Sequence, residues 1–189
     1  DRVVSLLRFI ARLDIKGPNV VKGIHMEGLR KIGNPQELAE KYADADELLY
    51  LDTVSSLYGR NQLEDLLERT TERLFIPVTV GGGISSLADV QRMLNAGADK
   101  VAINTAAIRR PALIIEIADR YGNESFVVSI EAKITGTGWE CYTDNGRNPV
   151  AVHDRRLQVG EWAAEVVRRG AGELLITSGK KIAARLILP

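Results

Sequence analysis

Residues Phe75–Thr105 read FIPVTVGGGISSLADVQRMLNAGADKVAINT. A β-branched run, Ile76–Val80, ends in Gly81-Gly82-Gly83. Leu87, Val90, Met93 and Leu94 then recur at helical spacing, and Gly97-Ala98-Asp99 leads into a second apolar run, Lys100–Ile103, ending in Asn104-Thr105. Strand, glycine turn, helix, strand and polar turn make a βαβ unit. Three glycines after a strand leave backbone N–H groups uncovered just before a helix, a setting that suits a phosphate. Asn104-Thr105 is expected beside that turn on the same face. The glycines have a second explanation, since a tight turn needs them too.

Outward from this unit, strands and helices keep alternating, which predicts an α/β fold with a parallel sheet. The strands are expected at Leu6–Ile15, Asp46–Asp52, Ile76–Val80, Lys100–Ile103, Ser125–Ala132 and Glu173–Thr177. Asn34-Pro35 reads as a helix start, with asparagine as the cap and proline first inside. Ile134–Ala151 reads as a long polar hairpin. Leu13-Asp14-Ile15-Lys16 and Ile130-Glu131-Ala132-Lys133 repeat an acid-x-Lys pattern four strand–helix units apart, each before a turn and a return segment. A barrel of two similar halves has that period. The expected fold is therefore a single (β/α)8 TIM-barrel domain over residues 1–189, with about six of the eight units present and the C-terminal ones missing.

Composition limits the function. At 189 residues, 45% hydrophobic and 26% charged, the chain suits one globular domain. Its formal net charge is zero, so no basic excess points to nucleic acid. The single cysteine excludes an internal disulfide framework and fits a reducing, cytoplasmic setting. No apolar run approaches the ~20 residues that cross a bilayer. His25 and His153 are far apart and lack companions, so no metal is expected, and no pattern calls for a cofactor.

Asp14 and Glu131 stand at the ends of strands whose neighbours are apolar. Carboxylates there reach the mouth of a barrel, where active sites lie, and can serve as general acid and base. Each could instead pair with a nearby lysine or cap a turn.

Several stretches carry a resemblance to a known family: RFIARLDIKGPNVVKG (Arg8–Gly23), EGLRKIGNP (Glu27–Pro35), DELLYLD (Asp46–Asp52), IPVTVGGGI (Ile76–Ile84), GADKVAINTAAI (Gly97–Ile108) and RRGAGELLITS (Arg168–Ser178). In this order they resemble the cyclase subunits of imidazole glycerol phosphate synthase. The resemblance implies a (β/α)8 lyase of histidine biosynthesis. Such an enzyme uses ammonia to cleave and cyclise a phosphorylated ribulosyl aminoimidazole carboxamide nucleotide. Ammonia would come from a glutamine amidotransferase partner. The resemblance further implies that Asp14 and Glu131 are catalytic with Lys22 nearby, and that Gly82, Gly83, Asn104 and Thr105 hold a substrate phosphate. Arg8, Glu47, Lys100 and Glu173 would form a charged ammonia gate. Glu131 departs from the family's usual aspartate by one methylene, roughly 1.5 Å of reach. That departure admits another reading, an ammonia-using accessory protein of surface-polysaccharide sugar amidation, and the missing C-terminal units admit a third, an inactive remnant that binds phosphate or a partner. The last residues, IAARLILP, are expected to be helical. Unpaired edges on the first and sixth strands would favour a homodimer.

Overall fold

The computed structural model describes residues 10–16, 19–23, 29–52, 60–144, 146–178 and 182–187. They fall into two compact units, one running to Gly83 and including Arg92–Asp99, the other comprising Ile84–Gln91 and the residues from Lys100 onward. In each unit strands and helices alternate, and strands joined through a helix pair in parallel. The fold class is α/β, as expected.

In the first unit β1 (Ile10–Lys16), β2 (Asn19–Gly23) and β3 (Leu29–Gly33) form an antiparallel meander. Helix α1 (Pro35–Lys41) leads to β4 (Glu47–Asp52), and α2 (Arg60–Thr71) to β5 (Val78–Gly81), giving the order β3-β2-β1-β4-β5. Asn34 caps α1 as its sequence predicts: Oδ1 accepts the Gln36 N–H at 2.9 Å, and Pro35 opens the helix without needing a donor.

Strand alternation then sorts the side chains. Register aligns Ala11 with Leu48 and Leu48 with Val78; one step on, it aligns Leu13 with Tyr50 and Tyr50 with Val80. All six are buried. The Tyr50 hydroxyl meets Thr70 Oγ1 of α2 at 2.9 Å, which identifies this face as the one packed on helix. Thr70 Oγ1 already donates to the Leu66 carbonyl, so Tyr50 is the donor. The other face carries Arg12, Asp14, Glu47, Leu49, Leu51 and Thr79.

Along the chain α3 (Leu87–Asn95), whose residues divide between the two units, is followed in the second unit by β6 (Lys100–Ile103), α4 (Thr105–Arg109), α5 (Ala112–Tyr121) and β7 (Phe126–Thr135). A hairpin arm follows, with β8 (Gly138–Thr143) antiparallel to β7, β9 (Asn148–Pro149) on β8, and a small pair, β10 (Ala151–Val152) and β11 (Arg155–Arg156). Then come α6 (Val159–Arg168), β12 (Glu173–Ser178) and β13 (Ile182–Ile187). The strand order is β6-β7-β12-β13. Phe126, Val128, Ile130 and Leu174 lie on one buried face. Lys100, Ser129, Glu131, Glu173 and Thr177 fall on the other by the same two-residue period.

Two expectations are corrected here. Ile182–Ile187 is a strand, not a helix, and pairs antiparallel along the whole of β12. Its apolar residues Ile182, Ala183, Leu186 and Ile187 fit a helical stripe as well, and the pairing with β12 is what decides. The edge of β12 expected to be bare is therefore covered. Asn104-Thr105 is also not a simple turn, because Thr105 opens the short helix α4 with Asn104 as its N-cap.

Burial pushes the Tyr50 phenol up from 10.0 to about 12, against the opposing hydrogen bond with Thr70. Below pH 10 both folded and unfolded chains keep the proton, and the Tyr50 contribution is fully present. Between pH 10 and 12 the unfolded chain releases the proton first, so stability falls, by at most ~1.4 kcal/mol per pH unit. Urea midpoints should drop more steeply over that window for the wild type than for Tyr50→Phe. Parallel pH curves would show that Tyr50 titrates as freely when folded as when unfolded.

Candidate active site

The carboxyl end of β1 positions the first expected acid. Asp14 lies on the face turned away from the helix-packed core, and its side chain is 34% exposed. Arg12, two residues earlier on the same face, donates from Nε to Asp14 Oδ1 at 2.8 Å. One neighbour of Asp14 is thus an arginine from its own strand. Just beyond, Ile15 and Lys16 pair with Val20 and Asn19, so the chain reverses immediately after the acid. Lys22 has its backbone in β2 opposite Arg30, while its side chain lies outside the described residues. Arg8 of the expected gate also lies outside them.

Glu131 is held differently. On β7 it stands opposite Thr177 on the parallel side and Tyr142 on the antiparallel side. Its Oε2 accepts the N–H of Gly146 at 2.9 Å. Lys133 Nζ donates to the carbonyl of the same glycine and stands 4.5 Å over the Tyr142 ring. Gly146 has φ +75°, and a Cβ there would come within 3.2 Å of Lys133 Cε. The turn between β8 and β9 is therefore strapped to β7 at both ends of one residue. Of the two readings of Glu131, turn capping is the one seen in this state. The longer glutamate side chain supplies reach for it.

The glycine turn has a structural requirement of its own. Gly82 and Gly83 have φ of +103° and +68°. A Cβ on Gly82 would lie 2.3 Å from the Asp52 carbonyl oxygen. Any side chain there collides with backbone, so the fold alone demands this glycine. The following helix start is already supplied with an anion. Asp89 Oδ2 accepts from both Ser85 N–H and Ser85 Oγ at 3.0 Å, while Ser86 Oγ accepts the Asp89 N–H at 3.2 Å. Asp89 is buried and complements the first turn of α3 from within the chain. A phosphate reading then rests on the glycine amides rather than on the dipole of α3. In the second unit Asn104 Oδ1 is buried and without a partner among the described residues, as is Ser129 Oγ. Both are groups that a ligand could satisfy.

The gate residues that are described, Glu47, Lys100 and Glu173, stand at amino ends of strands. Lys100 opens β6 and Glu173 opens β12, and their side chains form an ion pair that is 21% and 5% exposed. Glu47 opens β4, is buried, and accepts the Thr79 Oγ1–H at 2.6 Å. Two charged groups that would be costly to bury alone are thus satisfied. Sequence reading missed Arg12, Thr79 and Gly146 as partners. The signal for Thr79 was available in the in-register alternation of ELLYLD and VTVG. Gly146 could not be matched to Glu131 from spacing. Among the described residues no three His, Cys, Asp or Glu side chains cluster as a metal site, and no helix is long and apolar enough to cross a membrane.

Comparison with known proteins bears on these residues together. Residues 8–181 match the family described as histidine biosynthesis protein. The chain belongs to this family. It is 54% identical over 178 residues to imidazole glycerol phosphate synthase subunit HisF of Legionella pneumophila, covering 93% of this chain and 82% of that protein. It is 48% identical over 180 residues to the subunit of the same name from Myxococcus xanthus, covering 94% of this chain and 69% of that one. The histidine biosynthesis family is a TIM-barrel family, and within the first unit β1, β4 and β5 run parallel, as β6, β7 and β12 do within the second.

The strap on Gly146 can be tested in this family member directly. A charge-assisted hydrogen bond is worth roughly 1.5–3 kcal/mol. Glu131→Ala should speed amide exchange at Gly146 by about tenfold or more, while Val128 in the β7 core keeps its protection. Unchanged exchange at Gly146 would mean that the carboxylate does not hold the turn in solution.

Proposed function

We propose that this chain is a cyclase subunit of imidazole glycerol phosphate synthase. It uses ammonia to cleave and cyclise a phosphorylated ribulosyl aminoimidazole carboxamide nucleotide, yielding imidazole glycerol phosphate and the free carboxamide nucleotide. One observation carries the reading: Asp14 ends a parallel strand on the face turned away from the helix-packed core, in a chain 54% identical to a named HisF subunit.

The roles follow from the chemistry of the side chains. Asp14 removes or returns a proton as ring closure and bond cleavage proceed, with Lys22 as a neighbouring cation. Glu131 is the complementary acid or base. Gly82, Gly83, Asn104 and Thr105 take a substrate phosphate through backbone N–H groups, a carboxamide and a hydroxyl. Arg8, Glu47, Lys100 and Glu173 form the entry for ammonia, delivered by a glutamine amidotransferase partner. None of these roles calls for a metal or cofactor, and a biosynthetic enzyme of this kind works in the cytoplasm. Self-association, if it occurs, would use the outer edge of β13, which pairs only with β12 among the described strands.

Asp14→Asn preserves size and removes the proton-transfer group. Ammonia-dependent turnover of the nucleotide should fall by ~10²-fold or more, with the thermal midpoint little changed because Asp14 is outside the buried core. Equal rates for the two proteins would take Asp14 out of the mechanism.

A further inference from the structure

We infer that Arg12 is a positioning residue for the Asp14 carboxylate. This rests on the reading of Asp14 as the acid–base group. The contact is made by Nε at 2.8 Å, the guanidinium nitrogen nearest the stem. Nε is placed by fewer torsions than the terminal nitrogens and so fixes its acceptor more tightly. Both residues stand on a strand whose ladder with β4 runs unbroken from Ile10–Glu47 to Ile15–Asp52. The two Cα–Cβ directions are therefore set by the sheet. The side chains are 40% and 34% exposed, half-covered on the face that also bears the buried Glu47–Thr79 bond.

The second unit shows the same arrangement met by a different donor. In the repeated acid-x-Lys segments Ser129 stands where Arg12 stands, two residues before the acid. Ser129 Oγ makes no bond there, and Glu131 has one oxygen held from ahead by Gly146 instead. Each acid thus has one carboxylate oxygen fixed by a donor. For Asp14, with Oδ1 held by Arg12, Oδ2 is the oxygen that exchanges the proton with the reactant. A half-exposed ion pair of this kind adds little to stability, so its effect should appear in catalysis and not in melting.

Arg12→Met and Arg12→Lys in the full protein separate these possibilities, with ammonium salt and the phosphorylated ribulosyl nucleotide as substrates. For Arg12→Met, kcat should fall ~10- to 100-fold, the scale of a small misplacement of a catalytic group. KM should stay within about threefold, because an interaction that serves only the transition state leaves ground-state binding alone. Arg12→Lys should recover part of kcat. The double variant Arg12→Met/Asp14→Asn should be no slower than Asp14→Asn alone, since groups acting as a unit are not additive. An unchanged kcat in Arg12→Met while Asp14→Asn is inactive overturns the inference and leaves the proposed function standing, as does a rise in KM alone or a fully additive double variant. If the wild type does not turn over, or Asp14→Asn is as fast as wild type, the functional reading itself fails. In that event a crystal structure of Arg12→Met decides the positioning claim: a displaced Asp14 carboxylate supports it, and an unmoved one refutes it.

Discussion

A parallel strand covered by helices on one side has a single face left for polar groups, and the chemistry of this chain depends on that constraint. In the first unit Ala11, Leu13, Leu48, Tyr50, Val78 and Val80 are committed to the helix-packed face by register and by the Tyr50–Thr70 bond. Arg12, Asp14, Glu47 and Thr79 have only the opposite face available. The second unit divides its strands in the same way, with Phe126, Val128 and Ile130 against Ser129, Glu131 and the Lys100–Glu173 pair. A one-residue slip in any of these ladders would exchange the two sets. The hydrophobic core therefore aims the polar side chains.

Once aimed, each charged group is satisfied locally. At the amino ends Lys100 meets Glu173 and Glu47 meets a hydroxyl, so these charges are not left isolated. Near the carboxyl ends Asp14 is held by a side chain of its own strand and Glu131 by a turn fifteen residues on. These are different mechanical situations. Asp14 keeps its contact whatever the loops do. Glu131 keeps its contact only while the β8–β9 turn stays down, and its extra methylene is what lets it reach that turn.

Much of this was legible in the sequence. The alternation of strands and helices followed from the apolar runs, the α1 start from Asn34-Pro35, and both acid positions from the repeated acid-x-Lys segments. The repeat is visible in structure as two antiparallel hairpins, β1–β2 and β7–β8. What the sequence hid was contact made by long side chains and by turns. The bond from Arg12 to Asp14 requires a rotamer choice, and that from Gly146 to Glu131 requires the path of a loop. The strand at Ile182–Ile187 was hidden because its apolar spacing fits a helix as well, and only its pairing with β12 decides. The glycine turn held two explanations at once, and Gly82 against Asp52 shows that the structural one applies whatever else the turn binds.

The most direct test is a crystal structure of the protein with the phosphorylated ribulosyl nucleotide bound and ammonia withheld. If the polar strand face is the reactive one, the reacting carbons will lie within hydrogen-bond reach of Asp14 Oδ2 while Arg12 still holds Oδ1. A phosphate will rest on the amides of Gly82 and Gly83. A nucleotide bound away from Asp14 would contradict the reading.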